Sequence, residues 1–245
     1  MITIEKLCKA YNDKILFKNF HLEIPDSSFL VISGESGCGK STLLNMIGGI
    51  ETPDKGSIIV NGFDVAKKGK KQKYFKEVVG FLFQNFALLE NKTVKENLEI
   101  IKKSGRTDIS INEALEKVGL QKVINKKVYQ LSGGEQQRVA LARLMLKKCS
   151  IVLADEPTGS LDKKNSEIVM NILHELSEQG KTVIVVLHDI NYAAVYSDYI
   201  CAFKNGKIAS FGTVDEVITK ENLSAIYDVE FEIMRIKGKP LSIYY

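Results

Sequence analysis

The stretch that decides the fold is "FLVISGESGCGKSTLLNMIGG", residues 29 to 49, in which an apolar run passes through glycines into a helical pattern. Its centre satisfies the spacing G-x-x-x-x-G-K-[ST], and the four fixed positions are Gly34, Gly39, Lys40 and Ser41. Glycines in this context let the backbone fold around phosphate groups, and the N-terminus of the following helix faces their negative charge. The stretch therefore predicts a phosphate-binding loop between a buried strand and a helix, and a glycine-rich turn without a ligand is the alternative.

The residue types within this loop suggest how it would bind a nucleotide. We expect Lys40 to reach the β- and γ-phosphate oxygens and Ser41 to complete a Mg²⁺ shell. The remaining loop residues are expected to line the same phosphates: Ser36, Gly37, Cys38 and Thr42. Cys38 could also serve as a redox switch, but a small residue at a variable position is the interpretation we favour.

Three further apolar runs predict the rest of an α/β core. They are "VVGFLF" (78 to 83), "SIVLA" (150 to 154) and "TVIVVL" (182 to 187). Strands this apolar are usually covered on both faces, which indicates a parallel or mixed sheet flanked by helices. Between them, the capping-box patterns at 93–96 and 110–113 predict helices. We expect one domain over residues 1–245, with a nucleotide-binding core at about 1–84 and 150–245 and an inserted helical lobe at about 85–149.

Two acidic residues follow a predicted buried strand in "LADEPTGSLD", and a histidine follows another in "VLHD". Ligands of open α/β sheets bind at the carboxyl ends of the strands. We expect Asp155 to hold Mg²⁺ directly or through water, and Glu156 to act as the general base on the attacking water. His188 would reach the same sheet edge and donate to the γ-phosphate. The alternative for the acidic pair is two solvated strand-end carboxylates.

A second phosphate-binding feature lies in "QLSGGEQQRVALAR", residues 130 to 143, where Ser132, Gly133 and Gly134 precede a helical pattern. Uncovered backbone N–H groups at a helix start can bind phosphate. Ser132 and Glu135 also match a capping box, so a plain helix start is the alternative. If two copies pack head to tail, each nucleotide can lie between one chain's phosphate loop and the other's Ser-Gly-Gly turn.

The bulk composition excludes several classes. The formal charge of +4 over 245 residues is too small to indicate nucleic acid, and we expect no nucleic-acid partner. Apolar runs of about five residues are far shorter than the roughly 20 that a spanning helix needs, and no secretory signal is visible, so we expect a cytosolic location. Four isolated cysteines and three histidines support neither a zinc site nor a disulfide framework. The Lys-rich stretch "KKGKKQK", 67 to 73, is interpreted as a solvated loop, with an anionic-lipid or nucleic-acid patch as the alternative.

In order and together, "GESGCGKST", "FQNFALL", "LSGGEQQRVALAR", "LADEPTGSLD" and "VLHD" resemble the ATP-binding subunit of an ABC transporter. The resemblance implies a P-loop NTPase (RecA-like) α/β core with an N-terminal antiparallel β subdomain and an inserted helical subdomain. It also implies an ATPase that uses ATP and Mg²⁺, a second copy of the chain as partner, and an integral-membrane permease. The chain would then be peripheral, on the cytoplasmic face of a prokaryotic membrane.

The same resemblance assigns further site residues. "LSGGEQQ" is similar to the family's signature sequence, which implies the head-to-tail ATP sandwich. Gln84, at the end of "GFLFQ", is assigned to the loop that senses Mg²⁺ and the membrane partner, so we expect it to be both a catalytic and a metal-site residue. Tyr11 matches an aromatic residue that stacks on adenine, with a strand-end tyrosine as the alternative. Asp162, in "SLD", matches the loop that communicates across the dimer.

The resemblance divides along the chain. Residues 1 to about 165, which include "FQNFALLENKTVKENLEI" and "DEPTGSLD", are similar to the peptide-efflux, bacteriocin-export and lipoprotein-releasing branch, whose permeases carry a large extracytoplasmic domain. Residues after about 181, which include "HDINYAAVYSDYICAFKNGKIASFGTVDEVITKENLSAIYDVEF" and "GKPLSIYY", are similar to ATPases of ferric-siderophore uptake. The chain is then a natural or engineered mosaic, or it comes from a lineage for which neither branch is a good reference.

In this family, the helical lobe and the loop after Gln84 contact the permease. Both lie in the part of the chain that is similar to the export branch, so the sequence favours export of a peptide or amphiphile. Ferric-siderophore uptake is the alternative, as is a regulator that drives a permease-like partner in cell-wall signalling without transport. A role in DNA repair or translation is disfavoured because the chain has one ATPase unit and no heptads.

Overall fold

A computed structural model describes residues 1–12, 14–67, 71–159 and 161–244 of the chain. Its central sheet is built from six strands: β3 (Phe29–Gly34), β6 (Val79–Leu82), β7 (Ile151–Asp155), β8 (Thr182–Val186), β9 (Tyr199–Lys204) and β10 (Lys207–Thr213). Their spatial order is β10-β9-β3-β8-β7-β6. Neighbouring strands from β9 to β6 are parallel, and β10 is antiparallel at the edge. The parallel register brings the carboxyl ends of β3, β7 and β8 to one edge of the sheet.

Two antiparallel sheets complete the β structure of the described residues. The first contains β1 (Ile2–Tyr11), β2 (Lys14–Ile24), β4 (Lys55–Val60) and β5 (Phe63–Asp64) in the order β2-β1-β4-β5. The second is a hairpin of β11 (Phe231–Ile236) and β12 (Lys239–Tyr244) at the end of the chain. The turn between β1 and β2 pairs Tyr11 with Lys14 and brings this turn close to the phosphate loop.

Helices cover the sheets and fill the segment between β6 and β7. They are α1 (Lys40–Ile47), α2 (Lys71–Glu77), α3 (Val94–Glu99), α4 (Ile111–Lys117), α5 (Gly133–Met145), α6 (Lys163–Glu178), α7 (Ile190–Tyr196), α8 (Val214–Val217) and α9 (Lys220–Tyr227). The capping boxes predicted before α3, α4 and α5 are confirmed, with Thr93, Ser110 and Ser132 as the N-caps. Each cap satisfies backbone N–H groups that a helix start would otherwise leave without partners.

Except for the edge strand β10, the central sheet is buried on both faces, which is why those strands are almost wholly apolar. Along β3, Phe29 and Val31 pack in a cluster with the helical lobe, α6 and α7. Leu30 and Ile32 face the opposite cluster, with α1 and the four-stranded antiparallel sheet. Alternate residues of one strand thus serve two cores, as expected for a doubly covered parallel sheet. The arrangement confirms the predicted fold class.

The Lys-rich stretch differs from its prediction. Residues 68–70 lie outside the described part of the chain, and the solvated loop predicted for this stretch is wrong for Lys71 to Lys73, which begin α2. The physical reason is Tyr74, which is 2% exposed and donates its hydroxyl proton to the Ile47 carbonyl at 2.7 Å. This contact docks α2 against the end of α1.

The helices of the described residues are all too short or too polar to span a membrane.

Candidate active site

The phosphate loop connects β3 to α1 through glycines that have left-handed backbone angles. The φ angles of Gly34, Gly37 and Gly39 are 134°, 73° and 102°. A Cβ atom on Gly34 would lie 2.2 Å from the carbonyl oxygen of Phe203, so only glycine fits there. Gly39 is the N-cap of α1 and offers no side-chain cap, so the first N–H groups of this helix remain directed at the loop.

Lys40 places its charge inside this loop. Lys40 is only 5% exposed, and its Nζ donates to the carbonyl oxygens of Gly34 at 2.9 Å and Glu35 at 2.7 Å. In the described residues, no carboxylate forms an ion pair with Lys40, so its positive charge is available to an anionic ligand. A loop of N–H donors around a lysine suits a polyphosphate.

Ser41 and Asp155 form an oxygen pair that fits Mg²⁺. Ser41 Oγ donates to Asp155 Oδ1 at 2.9 Å, although the two residues come from α1 and the end of β7. Adjacent ligands of an octahedral Mg²⁺ lie about 3 Å apart, since each bond is 2.0–2.1 Å long. Burial raises the pKa of the Asp155 carboxyl, while the Ser41 hydrogen bond and the Lys40 charge oppose that rise. A divalent cation at this place would therefore compensate a carboxylate that is costly to ionise by itself.

Glu156 lies one residue beyond Asp155 and joins three elements. Its φ angle is 45°, a left-handed value that non-glycine residues rarely adopt, and its N–H donates to the Val186 carbonyl at 3.1 Å. Oε1 lies 2.7 Å from His188 Nε2, and Oε2 accepts from Gln84 Nε2 at 3.4 Å. An ionised carboxylate can only accept, so Nε2 of the histidine carries the proton of the shorter contact. The backbone turn thus brings the predicted base, histidine and glutamine together.

Glu156 and the phosphate loop face the same space. They line one cleft of about 200 Å³, whose lining residues are Leu16, Ser36, Gly37, Gly39, Lys40, Ser41, Thr42 and Glu156. The Ser132 turn is not among the residues lining this cleft in the described part of the chain. One copy of the chain therefore brings together the phosphate loop, the Ser41–Asp155 pair and the predicted base, Glu156, but not the second predicted phosphate-binding turn.

The Ser132 turn is an exposed helix start. The Ser132 N–H donates to Glu135 Oε2 at 2.8 Å, and the Glu135 N–H donates to Ser132 Oγ at 3.3 Å. This capping lowers the pKa of the Glu135 carboxyl, chiefly through the backbone N–H of Ser132. Ser132 and Gly133 are both exposed. The capping box is thus real, and it leaves the surface of the turn open for a further contact.

Asp162 lies close to this turn within the same chain. It is the N-cap of α6, and its side chain accepts from the Asn165 N–H at 2.8 Å and from Asn165 Nδ2 at 2.9 Å. A Cβ on Gly134 would lie 3.3 Å from the same Asn165 Nδ2. The start of α5 and the start of α6 therefore form one surface, on which the predicted signature and dimer-communication residues are neighbours.

Two of the remaining predicted residues have local partners. Tyr11 is 45% exposed at the end of β1; its hydroxyl donates to Glu51 and its ring lies 4.9 Å from the Lys9 ammonium. Its exposed ring is compatible with both the adenine-stacking and the strand-end interpretations. Cys38 is 7% exposed, with Sγ 3.9 Å from Lys40 Nζ. Its burial fits the interpretation as a small packed residue.

Sequence patterns alone did not single out Gln137, which connects α5 to the segment that follows β7. Gln137 is 2% exposed and Nε2 donates to the Pro157 carbonyl at 3.0 Å, while Oε1 has no hydrogen-bond partner in the described residues. A signal was present, because positions 137, 140, 141 and 144 have the spacing of one buried helix face. Lys14 was also missed; Nζ donates to the Gly37 carbonyl at 3.1 Å, a contact that only the β1–β2 turn creates.

The fold and these contacts define a class, the P-loop ATPases, since the phosphate loop, the Ser41–Asp155 pair and Glu156 lie together at one edge of a parallel sheet. Within that class the chain belongs to the ABC transporter family: the family model described as "ABC transporter" matches residues 17–159. The chain is therefore an ATP-binding protein of an ABC transporter, an ATPase coupled to transport, with ATP and Mg²⁺ as its ligands.

Named relatives include both import and export proteins. The petrobactin import ATP-binding protein FatE of Bacillus anthracis is 34% identical over 252 residues, which is 100% of each chain. The macrolide export ATP-binding/permease protein MacB of Campylobacter jejuni is 36% identical over 217 residues, which is 86% of this chain and 34% of that protein. The chain thus spans about a third of MacB and the full length of FatE.

Solved structures of similar chains agree with the fold. The dimeric structure of the ABC transporter cassette MJ0796 has a TM-score of 0.77 at 36% identity, covering 87% of this chain and 98% of that chain. An inward-facing metal-chelate type ABC transporter has a TM-score of 0.81, covering 100% of this chain and 96% of that chain. Its identity of 24% supports likeness of fold alone.

Proposed function

We propose that two copies of this chain close head to tail on two molecules of MgATP. Two observations support this dimer. The cleft of one copy has a phosphate loop, a candidate magnesium pair and a candidate base, but no Ser132 turn in its lining. The Ser132 turn is exposed and does not face the phosphate loop of its own chain. A head-to-tail dimer places each turn opposite the partner's loop, which gives the second helix start a ligand. MJ0796, similar over 87% of this chain, has been solved as a dimer.

Within that dimer, each catalytic side chain has a role that follows from its position. Lys40 and the N–H groups at the start of α1 bind the phosphate tail. Mg²⁺ held by Ser41 and Asp155 would neutralise charge on the phosphate oxygens. Glu156 accepts a proton from the attacking water. The His188 Nε2–H donates to Oε1 of Glu156 at 2.7 Å and, once MgATP is bound, donates to the terminal phosphate instead. Gln84 holds the other carboxylate oxygen and reports the state of the site to the loop that follows it.

The experiment is sedimentation velocity of Glu156→Gln with and without MgATP, beside the ATPase rate of the parent protein. The amide keeps the shape of the side chain but cannot take the proton, so we expect ATP-dependent dimerisation together with loss of turnover. A variant that hydrolyses at nearly the parent rate would remove Glu156 as the base. A variant that loses turnover but stays monomeric in MgATP would remove the head-to-tail site.

We infer that the partner is an integral-membrane permease and that the chain docks peripherally on its cytoplasmic side. The support lies in the loop after Gln84, where Phe86 and Ala87 have φ angles of 62° and 47°. Their carbonyl oxygens accept from Arg143 of α5 at 2.9 and 2.6 Å, which fixes the loop to the helical lobe. Leu89 is left 53% exposed by this arrangement. A strained, anchored loop that presents an apolar side chain suits a protein partner.

For direction and substrate, we propose import of a metal chelate of the siderophore class. The supporting observation is that FatE, a petrobactin import protein, aligns over 100% of both chains, including the end of the chain where α9 and the β11–β12 hairpin lie. Export of a peptide or amphiphile, which the first 165 residues favour, is the second candidate. Its support is MacB, a macrolide export protein that is 36% identical over 217 residues.

Purification of the chain from its native membranes with its permease separates the two candidates. Import predicts a permease without a large extracytoplasmic domain, and vesicles reconstituted with that complex should move a ferric chelate into the compartment that contains the ATPase sites only when ATP is present. A permease with a large extracytoplasmic domain would instead establish the export branch. ATP hydrolysis without flux of any substrate would favour the regulatory alternative.

A further inference from the structure

The C-terminal hairpin is bound to the helix that follows His188. The Asn191 carboxamide of α7 pairs with Ser242 of β12, where Nδ2 donates to the Ser242 carbonyl at 3.1 Å. Oδ1 accepts from the Ser242 N–H at 2.8 Å and from its hydroxyl at 2.9 Å. One side chain thus uses both backbone groups of one residue, as a neighbouring strand would. Ser242 is 4% exposed, so the contact, which we call the Asn191–Ser242 clasp, is shielded from water.

The position of His188 depends on anchors to either side of it in the chain. On the upstream side, the Leu187 N–H donates to the Ile32 carbonyl of β3 at 3.1 Å. On the downstream side, Asp189 caps α7 by accepting from the Asn191 N–H at 2.8 Å. The His188 side chain itself is 52% exposed, and in the described residues its hydrogen bond is the one to Glu156. Its orientation therefore follows from the placement of Leu187 and of α7.

α7 is short, and its tertiary contacts are divided between α6 and the C-terminal hairpin: Tyr192 and Tyr196 pack against the core, and the Tyr196 hydroxyl donates to Asn171 Oδ1 of α6 at 3.0 Å. It spans seven residues, and its buried residues are Ile190, Ala193 and Ala194, two of which carry only a methyl group. A helix of this length is not stable without tertiary contacts, and small buried side chains supply little apolar area. The three hydrogen bonds of the Asn191–Ser242 clasp thus fix the first turn of α7, the turn next to His188, whereas Tyr196 fixes its last turn.

The same C-terminal segment also contacts the strand that leads into the phosphate loop. The Tyr227 hydroxyl of α9 lies 2.6 Å from Ser33 Oγ, one residue before Gly34. Tyr227 and Phe231 pack ring against ring at 5.8 Å, which connects α9 to the start of the hairpin. The end of the chain therefore contacts both sides of the catalytic cleft, at β3 and at α7.

We infer that Asn191 and Ser242 are positioning residues for ATP hydrolysis, because the Asn191–Ser242 clasp holds α7 so that His188 meets Glu156. This inference rests on the proposed roles of His188 and Glu156. The C-terminal hairpin then contributes to catalysis as well as to stability, because it acts through Asn191 on the position of His188. The competing interpretation is a hairpin that only stabilises the fold.

The first test is Asn191→Ala, which removes all three hydrogen bonds of the clasp. We expect kcat for MgATP to fall by about ten- to a hundredfold, the range for misplacing a catalytic group, while KM changes by less than about twofold. Arg235→Ala is the matched control, since it breaks an exposed ion pair of the same hairpin to Asp215, at 2.7 Å, and touches neither α7 nor the cleft. It should leave both kinetic constants unchanged. An Asn191→Ala protein that is folded and has the parent kcat would overturn the inference.

Double variants separate positioning from stability. If Asn191 acts through His188, Asn191→Ala should cause no further loss in a His188→Ala background, because the effects of coupled residues do not add. An undiminished loss in that background would overturn the inference. Ser242→Ala is a milder variant that keeps both backbone bonds of the clasp and loses only the hydroxyl bond, so it should still fold. We expect its kcat to fall, but by less than that of Asn191→Ala, at an unchanged melting temperature. Failure of the proposed roles would be distinct, since His188→Ala alone would then leave kcat unchanged.

Discussion

Nε2 of His188 lies 2.7 Å from Oε1 of Glu156, although the two residues follow different strands and are 32 positions apart in the chain. The contact exists because β7 and β8 are parallel neighbours, so that their carboxyl ends meet at one edge of the sheet. The left-handed backbone of Glu156 then directs its carboxylate towards the histidine. If the proposed roles of Glu156 and His188 hold, turnover depends on that approach as much as on the two side chains.

His188→Ala should therefore lower kcat, by about 10²-fold or more, the usual contribution of a positioned proton-transfer group. Binding of MgATP should be nearly unchanged, since Lys40 and the loop N–H groups remain. Steady-state ATPase kinetics with a separate fluorescence titration of nucleotide would measure both effects. His21→Ala, a change at a histidine remote from the described site contacts, serves as the control and should match the parent.

Lys40→Ala should weaken nucleotide binding itself, and not only slow hydrolysis. Removing a charge-assisted contact worth about 1.5–3 kcal/mol weakens nucleotide binding by roughly 10- to 100-fold. Equilibrium titration with a fluorescent ATP analogue measures the Kd. Lys14→Ala, which loses only the contact of its Nζ with the Gly37 carbonyl, should weaken binding far less. Equal affinities for Lys40→Ala and the parent would contradict the proposed phosphate contact.

Ser132→Ala and Ser110→Ala separate the two interpretations of the second helix start. Both serines are N-caps of capping boxes, so each change should cost about 1 kcal/mol in the free energy of unfolding. Only Ser132→Ala should also weaken ATP-dependent dimerisation, because only that turn is proposed to face the partner's nucleotide. Urea unfolding and sedimentation of both variants in the Glu156→Gln background provide the comparison. If the two variants dimerise equally well, the Ser132 turn is a helix cap alone.

Gly34→Ala should be strongly destabilising. The new Cβ would lie 2.2 Å from a backbone oxygen at a φ of 134°, so we expect a loss of at least about 3 kcal/mol in the free energy of unfolding. Gly62→Ala is the matched control, with a φ of 78° and nothing within 4 Å of the added carbon. It should cost only the left-handed backbone penalty of about 1–2 kcal/mol. If both variants lose a similar amount of unfolding free energy, the close approach of the Phe203 carbonyl to Gly34 does not determine the cost of Gly34→Ala.

The capping box of α3 predicts a pH dependence of stability. The Thr93 backbone N–H, with Lys92 assisting, lowers the pKa of Glu96 from 4.5 to about 2. A depressed carboxyl pKa contributes stability that is complete above the unfolded value and is lost as the pH falls from about 4.5 towards 2. Urea unfolding between pH 6 and pH 2 should therefore show a shallower acid loss for Glu96→Gln than for the parent. Glu99→Gln, an exposed change on the same helix, should leave the slope unaltered.

The sequence by itself determined the elements whose signals are local. The spacing of Gly34, Gly39 and Lys40 specifies a phosphate loop because positive φ angles and a helix start are short-range requirements. The serine and threonine caps of α3, α4 and α5 were predicted for the same reason, and the apolar strands indicated a sheet covered on both faces. The acidic pair at 155–156 follows from its place at the end of one such strand.

Tertiary structure alone decided the contacts between segments that are distant in the chain. Ser41 meets Asp155 only because α1 and β7 approach the same sheet edge, and Lys71 to Lys73 form a helix because Tyr74 docks against α1. The Asn191–Ser242 clasp spans 51 positions and has no local pattern, since any asparagine near a helix start would look the same in sequence. Such contacts are set by the packing of whole elements, whereas caps and phosphate loops are set by the geometry of a few consecutive residues.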